Sequence, residues 1–203
     1  MKTAFWFATP IYSNDLYPDE LAVVSDEIDR ALGASKESFQ ALGREPGLST
    51  TFRPEGPNNF IAERGLHHTA EQILKHTQAF CIDLGIDRYQ SLKIESSWVD
   101  ILGPEGFQFA HNHSPSMVSG IYYHQSSRED GTLIFESPNI YFTTYEFPNN
   151  AAQCTKNLEF RPKKGRILLF PSWLTHFVDV NRSRDDQISL SFNLKLSKRP
   201  SPA

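Results

Sequence analysis

Cysteine is scarce: Cys81 and Cys154 are the only two in 203 residues, and no CxxC pair exists. A disulfide framework is thereby excluded, and a reducing, cytoplasmic setting is expected. Positive charge is never concentrated. No basic run is longer than Lys163-Lys164 and the net charge is −4, so nucleic acid is not an expected partner, because phosphate binding needs a dense cationic footprint. No apolar stretch reaches the length of a membrane span. The opening Met1-Lys-Thr-Ala-Phe-Trp-Phe-Ala is interrupted by Pro10 and Asp15 and lacks a small-residue cleavage site. It reads as a strand from Ala4 to Ala8. Internal repeats and low-complexity tracts are also missing.

What the chain has in quantity is aromatic side chains, fifteen Phe, seven Tyr and three Trp, which favour β structure. The length suits one domain with a sizeable core. A first helix is expected from Pro18, with Leu21, Val24, Ile28 and Leu32 at helical spacing and Gly33 as its stop. Residues 34–65 read as a long loop with short strands near Thr50-Thr51-Phe52 and Phe60-Ile61-Ala62. A second helix is expected from about His67 to Leu84, with Leu66, Ala70, Ile73, Thr77, Cys81 and Leu84 as its buried stripe and Gly85 at C′. His67, His68 and His76 fall on this helix as surface or packing residues.

From Tyr89 onward, strands follow one another at 90–102, 107–113, 117–125, 132–136, 140–147, 157–161, 166–170, 176–181 and 187–196. Turn signals such as Gly103-Pro104-Glu105-Gly106, Asp130-Gly131 and Lys163-Lys164-Gly165 separate them. The expected fold is mainly β with N-terminal helices, a double-sheet jelly roll. Residues 1–88 form a helical and loop part packed on a barrel core at 89–197, all in a single domain. Residues 198–203 read as a tail.

The chemistry gathers in residues 108–124. His111 and His113 are two apart, so on an extended chain their imidazoles share a face. His176, late in Gly165-Arg-Ile-Leu-Leu-Phe-Pro-Ser-Trp-Leu-Thr-His176, is the candidate third member. Imidazole sets of this kind suit Zn, Fe, Cu and Ni. A polar pair on a solvated face is the alternative. Trp98 and Trp173 read as core or as substrate wall. His124, of opposite parity to Tyr123, is a weaker candidate for lining the site.

The strings His-Asn-His-Ser-Pro-Ser-Met-Val-Ser-Gly-Ile-Tyr-Tyr, Gly-Thr-Leu-Ile-Phe-Glu-Ser-Pro, Gly-Arg-Ile-Leu-Leu-Phe-Pro-Ser-Trp-Leu-Thr-His and Ile-Ser-Leu-Ser-Phe-Asn resemble, in this order, a bacterial and phage group of Fe(II)/2-oxoglutarate-dependent oxygenases. The opening Phe-Ala-Thr-Pro-Ile-Tyr and Ser97-Trp98-Val99 extend the resemblance over nearly the whole chain. It implies a double-stranded β-helix, the cupin-like jelly roll, with Fe(II) held by His111, His113 and His176. His113 falls where the larger superfamily usually has a carboxylate. The resemblance also implies 2-oxoglutarate as co-substrate, O₂, and hydroxylation of an unknown small molecule or peptide.

An arginine is expected just before Ile-Ser-Leu-Ser-Phe-Asn to anchor the far carboxylate of 2-oxoglutarate, and Gln187 stands there instead. Arg184 and, behind it, Arg182 are the expected substitutes, with two solvated turn arginines as the alternative. Tyr123 and Ser189 complete the implied co-substrate contacts, and core packing is the other reading of Tyr122 and Tyr123. A cupin-like metalloprotein using the same histidines without 2-oxoglutarate, a zinc protein, and a non-catalytic jelly-roll module all stay open. So does a homodimer.

Overall fold

A computed structural model describes residues 8–34, 39–41, 47–86, 90–139 and 155–198. In chain order they form β1 (Tyr12–Asp15), α1 (Pro18–Gly33), β2 (Gln40–Ala41), β3 (Leu48–Thr50), α2 (Phe60–Arg64), α3 (His67–Asp83), β4 (Gln90–Leu102), β5 (Gln108–His111) and β6 (Val118–Gln125). They continue with β7 (Leu133–Glu136), β8 (Asn157–Phe160), β9 (Arg166–Pro171), β10 (His176–Val178) and β11 (Gln187–Lys198). Two antiparallel sheets result, of order β1-β9-β6-β11-β4-β3-β2 and β5-β10-β7-β8. They face each other as an open jelly roll rather than a closed barrel. No helix among the described residues is long and apolar enough to cross a membrane.

The larger sheet is covered on both faces. Val99, Tyr122, Ile167, Leu169, Leu190 and Phe192 meet Val24 and Ile28 of α1 and Ile73, Phe80 and Cys81 of α3 in one core. Ile121, Tyr123, Leu168 and Phe170 face the other way, onto Leu133, Phe135 and Val178 of the smaller sheet. β6 is therefore buried at every position but its last, as a strand roofed on both sides must be. Gly120 sits where a Cβ would lie 2.4 Å from the Phe192 ring, so only glycine lets β6 and β11 close at this point.

α3 has no capping side chain at its own N-terminus. Glu27 of α1 supplies one: its carboxylate accepts from His68 N, Thr69 N and Thr69 Oγ at 3.0, 2.9 and 2.8 Å. Burial pushes this carboxyl up, but those donors outweigh it and hold the group below the ordinary carboxylate range.

Several expectations need correction. Phe60-Ile61-Ala62 is not a strand but the start of α2. Asn59 accepts a hydrogen bond from Ala62 N at 3.2 Å, and Gly65, at φ 64°, closes the helix. A cap and a left-handed stop six residues apart outweighed the β tendency of two apolar residues. The strand expected at Thr50-Thr51-Phe52 lies slightly earlier, at Leu48–Thr50. Leu84, assigned to the buried stripe of α3, is 38% exposed, and Phe80 fills that role. The strand expected at 107–113 ends at His111. The strand at 140–147, Cys154, most of Ala4–Ala8 and residues 199–203 lie outside the described residues; the first described strand is β1.

Candidate metal centre

His111 ends β5 and pairs directly with His176 at the start of β10. His113 lies beyond the strand, in the segment leading to the cis Ser114–Pro115 peptide, and its backbone N–H donates to Ser172 O at 2.8 Å. Although the strand is shorter than expected, the backbone still presents both imidazoles together. Their centroids are 5.2 Å apart with planes 25° from parallel. His176 is 4.5 Å from His111 and 5.0 Å from His113, centroid to centroid. One ligand atom from each ring lies within 4.8 Å of the others.

The second nitrogen of every ring is occupied. His111 Nδ1 is 2.8 Å from Phe109 O, His176 Nδ1 is 2.9 Å from Leu174 O, and His113 Nδ1 is 2.8 Å from Asn193 Oδ1. Carbonyl oxygens only accept, so the proton sits on Nδ1 and the Nε2 lone pair is left for the cluster. Asn193 is itself fixed: Ser119 Oγ donates to Oδ1 at 2.7 Å, and Nδ2 donates to Ser96 Oγ at 3.0 Å. Burial, then the neighbouring His111, pushes His113 down to about 4 and His176 down to about 3. Both are therefore neutral, with free lone pairs, at physiological pH. Three imidazoles, each with Nε2 left for the cluster, form a donor set that fits a divalent transition metal.

A cavity of about 420 Å³ opens beside the cluster, lined among others by Phe52, Trp98, Asp100, Gln108 and Pro115. Trp98 stands 5.3 Å from His113, ring to ring, and its Nε1 donates to Asp100 Oδ2 at 3.0 Å. Sequence reasoning did not single out Asp100. The alternation along Ser96-Ser97-Trp98-Val99-Asp100 places it on Trp98's face, and that was the available signal.

The other expected residues divide. Tyr123, Gln187 and Ser189 are buried, with Ser189 opposite Tyr123 between β11 and β6. Ser189 alternates with Ser191 and Asn193 on the strand face that turns toward the site. Tyr123 Oη and Gln187 Oε1 have no hydrogen-bond partner among the described residues. Burial drives the Tyr123 phenol above its ordinary range, so it remains a donor. Arg182 and Arg184 do not join them. Both are exposed on the turn before β11, and Arg182 lies 3.9 Å from Asp179. His124 points to the opposite face, where its Nε2 is 2.9 Å from Asp29 Oδ1 of α1. His76 is buried, with Nδ1 2.9 Å from Tyr12 Oη. Trp173 is half exposed.

Residues 96–193, from β4 to β11, match the family model described as "Putative 2OG-Fe(II) oxygenase". No curated protein matches the chain. A prolyl-4-hydroxylase from Pseudomonas putida is similar in structure, with a TM-score of 0.58 at 14% identity, covering 94% of each chain. HygX from Streptomyces hygroscopicus, solved with nickel, 2-oxoglutarate and hygromycin B, has a TM-score of 0.59 at 12% identity, over 92% of this chain and 82% of that one. A prolyl hydroxylase from Trichoplax adhaerens, solved with a peptide of hypoxia inducible factor, has a TM-score of 0.55 at 16% identity, over 91% and 82%. These structures share the jelly-roll fold.

Proposed function

We propose that this chain is a 2OG-Fe(II) oxygenase, a reading supported by the family match over residues 96–193, and that His111, His113 and His176 are the ligands through which it holds iron. The observation that carries this reading is the common tautomer: three Nδ1 atoms tethered to oxygens, three Nε2 atoms left for one ion. Bound there, Fe(II) with 2-oxoglutarate supplies the power to put oxygen from O₂ into a C–H bond. The rest falls to the chain's own residues.

For the far carboxylate of 2-oxoglutarate we propose Tyr123 and Gln187. Their orphaned polar atoms are buried on the cluster's side of the sheet, and an unpaired buried group is costly until something bonds it. The phenol donates directly. The amide does so after turning end for end, which exchanges Oε1 for Nε2. Ser189, beside Tyr123, keeps the same wall polar. Phe52 and Trp98 shield the cavity from water and present the substrate, a small molecule or a peptide. Arg182 and Arg184 have no part in this arrangement.

The test is metal content and succinate formation from 2-oxoglutarate under O₂. Wild type should take up about one Fe(II) per chain and make succinate. Alanine at any of the three histidines should abolish both with the fold retained. Tyr123→Phe should raise the apparent KM for 2-oxoglutarate several-fold, while Arg184→Ala leaves it within about twofold. Gln187 favours one rival, a metalloprotein of this fold that does not use 2-oxoglutarate. That rival is the answer if wild type binds iron without making succinate and Gln187→Arg makes it.

A further inference from the structure

The cavity beside the histidines has a carboxylate in its wall and, among its described lining residues, no lysine or arginine. That carboxylate is Asp100, 8% exposed, on β4 one alternation from Trp98. Oδ2 accepts from Trp98 Nε1 at 3.0 Å and from Ser191 Oγ at 3.2 Å. A carboxylate has about four lone-pair sites, so acceptor capacity remains. Its hydrogen-bond donors are neutral, which leaves a buried anion poorly compensated, and burial pushes Asp100 up to about 6 against those bonds and a smaller attraction from His111.

The wall beside it is aromatic. Phe52 and Trp98 meet edge to face with centroids 5.3 Å apart, and ring faces attract cations. The same Trp98 touches His113. A group bound to Asp100 would therefore sit one aromatic ring away from the metal ligands.

We propose that Asp100 is a substrate-binding residue and that the substrate is an organic ammonium, its N–H donating to the Asp100 carboxylate and its charge resting against Phe52 and Trp98. The proposal rests on the three-histidine site reading and adds the class of molecule that site receives. It assigns Asp100 to recognition rather than to the metal, consistent with its lying outside the three-histidine ligand group.

The test uses the full chain loaded with Zn(II), without oxidant, and three probes of one shape: benzylamine, benzyl alcohol and phenylacetate. Binding is followed by ligand-observed NMR titration. Benzylamine should bind wild type at least tenfold more tightly than benzyl alcohol, and phenylacetate should bind weakest. Asp100→Asn should bring benzylamine and benzyl alcohol within about twofold of each other while still holding one Zn(II) per chain. Phe52→Leu should weaken benzylamine several-fold with Asp100 intact. Equal binding of the three probes by wild type, or a preference for phenylacetate, overturns the proposal whether or not the Asp100 variant folds. Unchanged benzylamine affinity in Asp100→Asn overturns it too, as does loss of zinc from a folded Asp100→Asn. Failure of wild type to take up metal strikes the three-histidine reading instead.

Discussion

Asn193 shows how much of a metal centre lies outside its ligands. It is not one of the three candidate ligands, yet it accepts the Nδ1 proton of His113 and is held in turn by Ser119 and Ser96. Partners of this kind set ring orientation and ligand basicity. Asn193→Ala should weaken metal affinity by about 10- to 100-fold, less than loss of the imidazole in His113→Ala, as read by competition with a chelator of known affinity. The histidine pair was legible in the sequence because spacing alone puts His111 and His113 together. Asn193 was not, since nothing local distinguishes an asparagine that orients a histidine eighty residues away from one that packs. The exposure of Arg184 was not legible for a related reason: sequence proximity to Gln187 says nothing of which way a turn residue points.

Among the elements, helices with full periodic stripes were the easiest to read. α1 spans Pro18–Gly33, and α3 ends one residue before its expected limit. α2, at five residues, is too short to show a period, so its caps were the only signal. What no sequence reading could supply is the partnership between helices. Leu66 cannot cap α3, and Glu27, from another helix, does so. Glu27→Gln should therefore cost about 2 kcal/mol, the scale of a charge-assisted buried hydrogen-bond set. Urea denaturation of the variant checks this, and the metal site should bind as before. A change below about 0.5 kcal/mol would mean that solvent satisfies the start of α3 equally well.

For the whole molecule, acid sets opposing groups against one another. His113 and His176 ionise at about 4 and about 3 when folded, against 6.5 in the ordinary case. Burial lowers His76 and His124 as well. In this window the unfolded chain binds more protons, so the metal-free protein loses stability as pH falls below about 6.5 toward 4. Asp100 works the other way. Raised to about 6 from 3.8, it takes up its proton in the folded state first and favours folding over part of the same range. Histidines outnumber it, so acid wins. Asp100→Asn removes the counterweight, and the fall in stability between pH 6 and 4 should steepen, as measured by urea unfolding of the metal-free protein across that range. A shallower fall would mean that Asp100 is already ionised there.

The three histidines do not belong to one layer. His111 and His176 close a rung of the smaller sheet, while His113 is fastened to Ser172 and Asn193 at the rim of the larger one. An ion gripped by all three is a rivet through two plates. Iron loading should slow amide hydrogen exchange most in β5 and β10, short strands of four and three residues, and least in the long β11. His113→Ala should erase that difference, because a variant that takes up no ion has nothing to fasten β5 and β10. Uniform slowing across both sheets would count against the rivet. On this view a starved enzyme does more than lose its reagent: it comes unfastened along one seam.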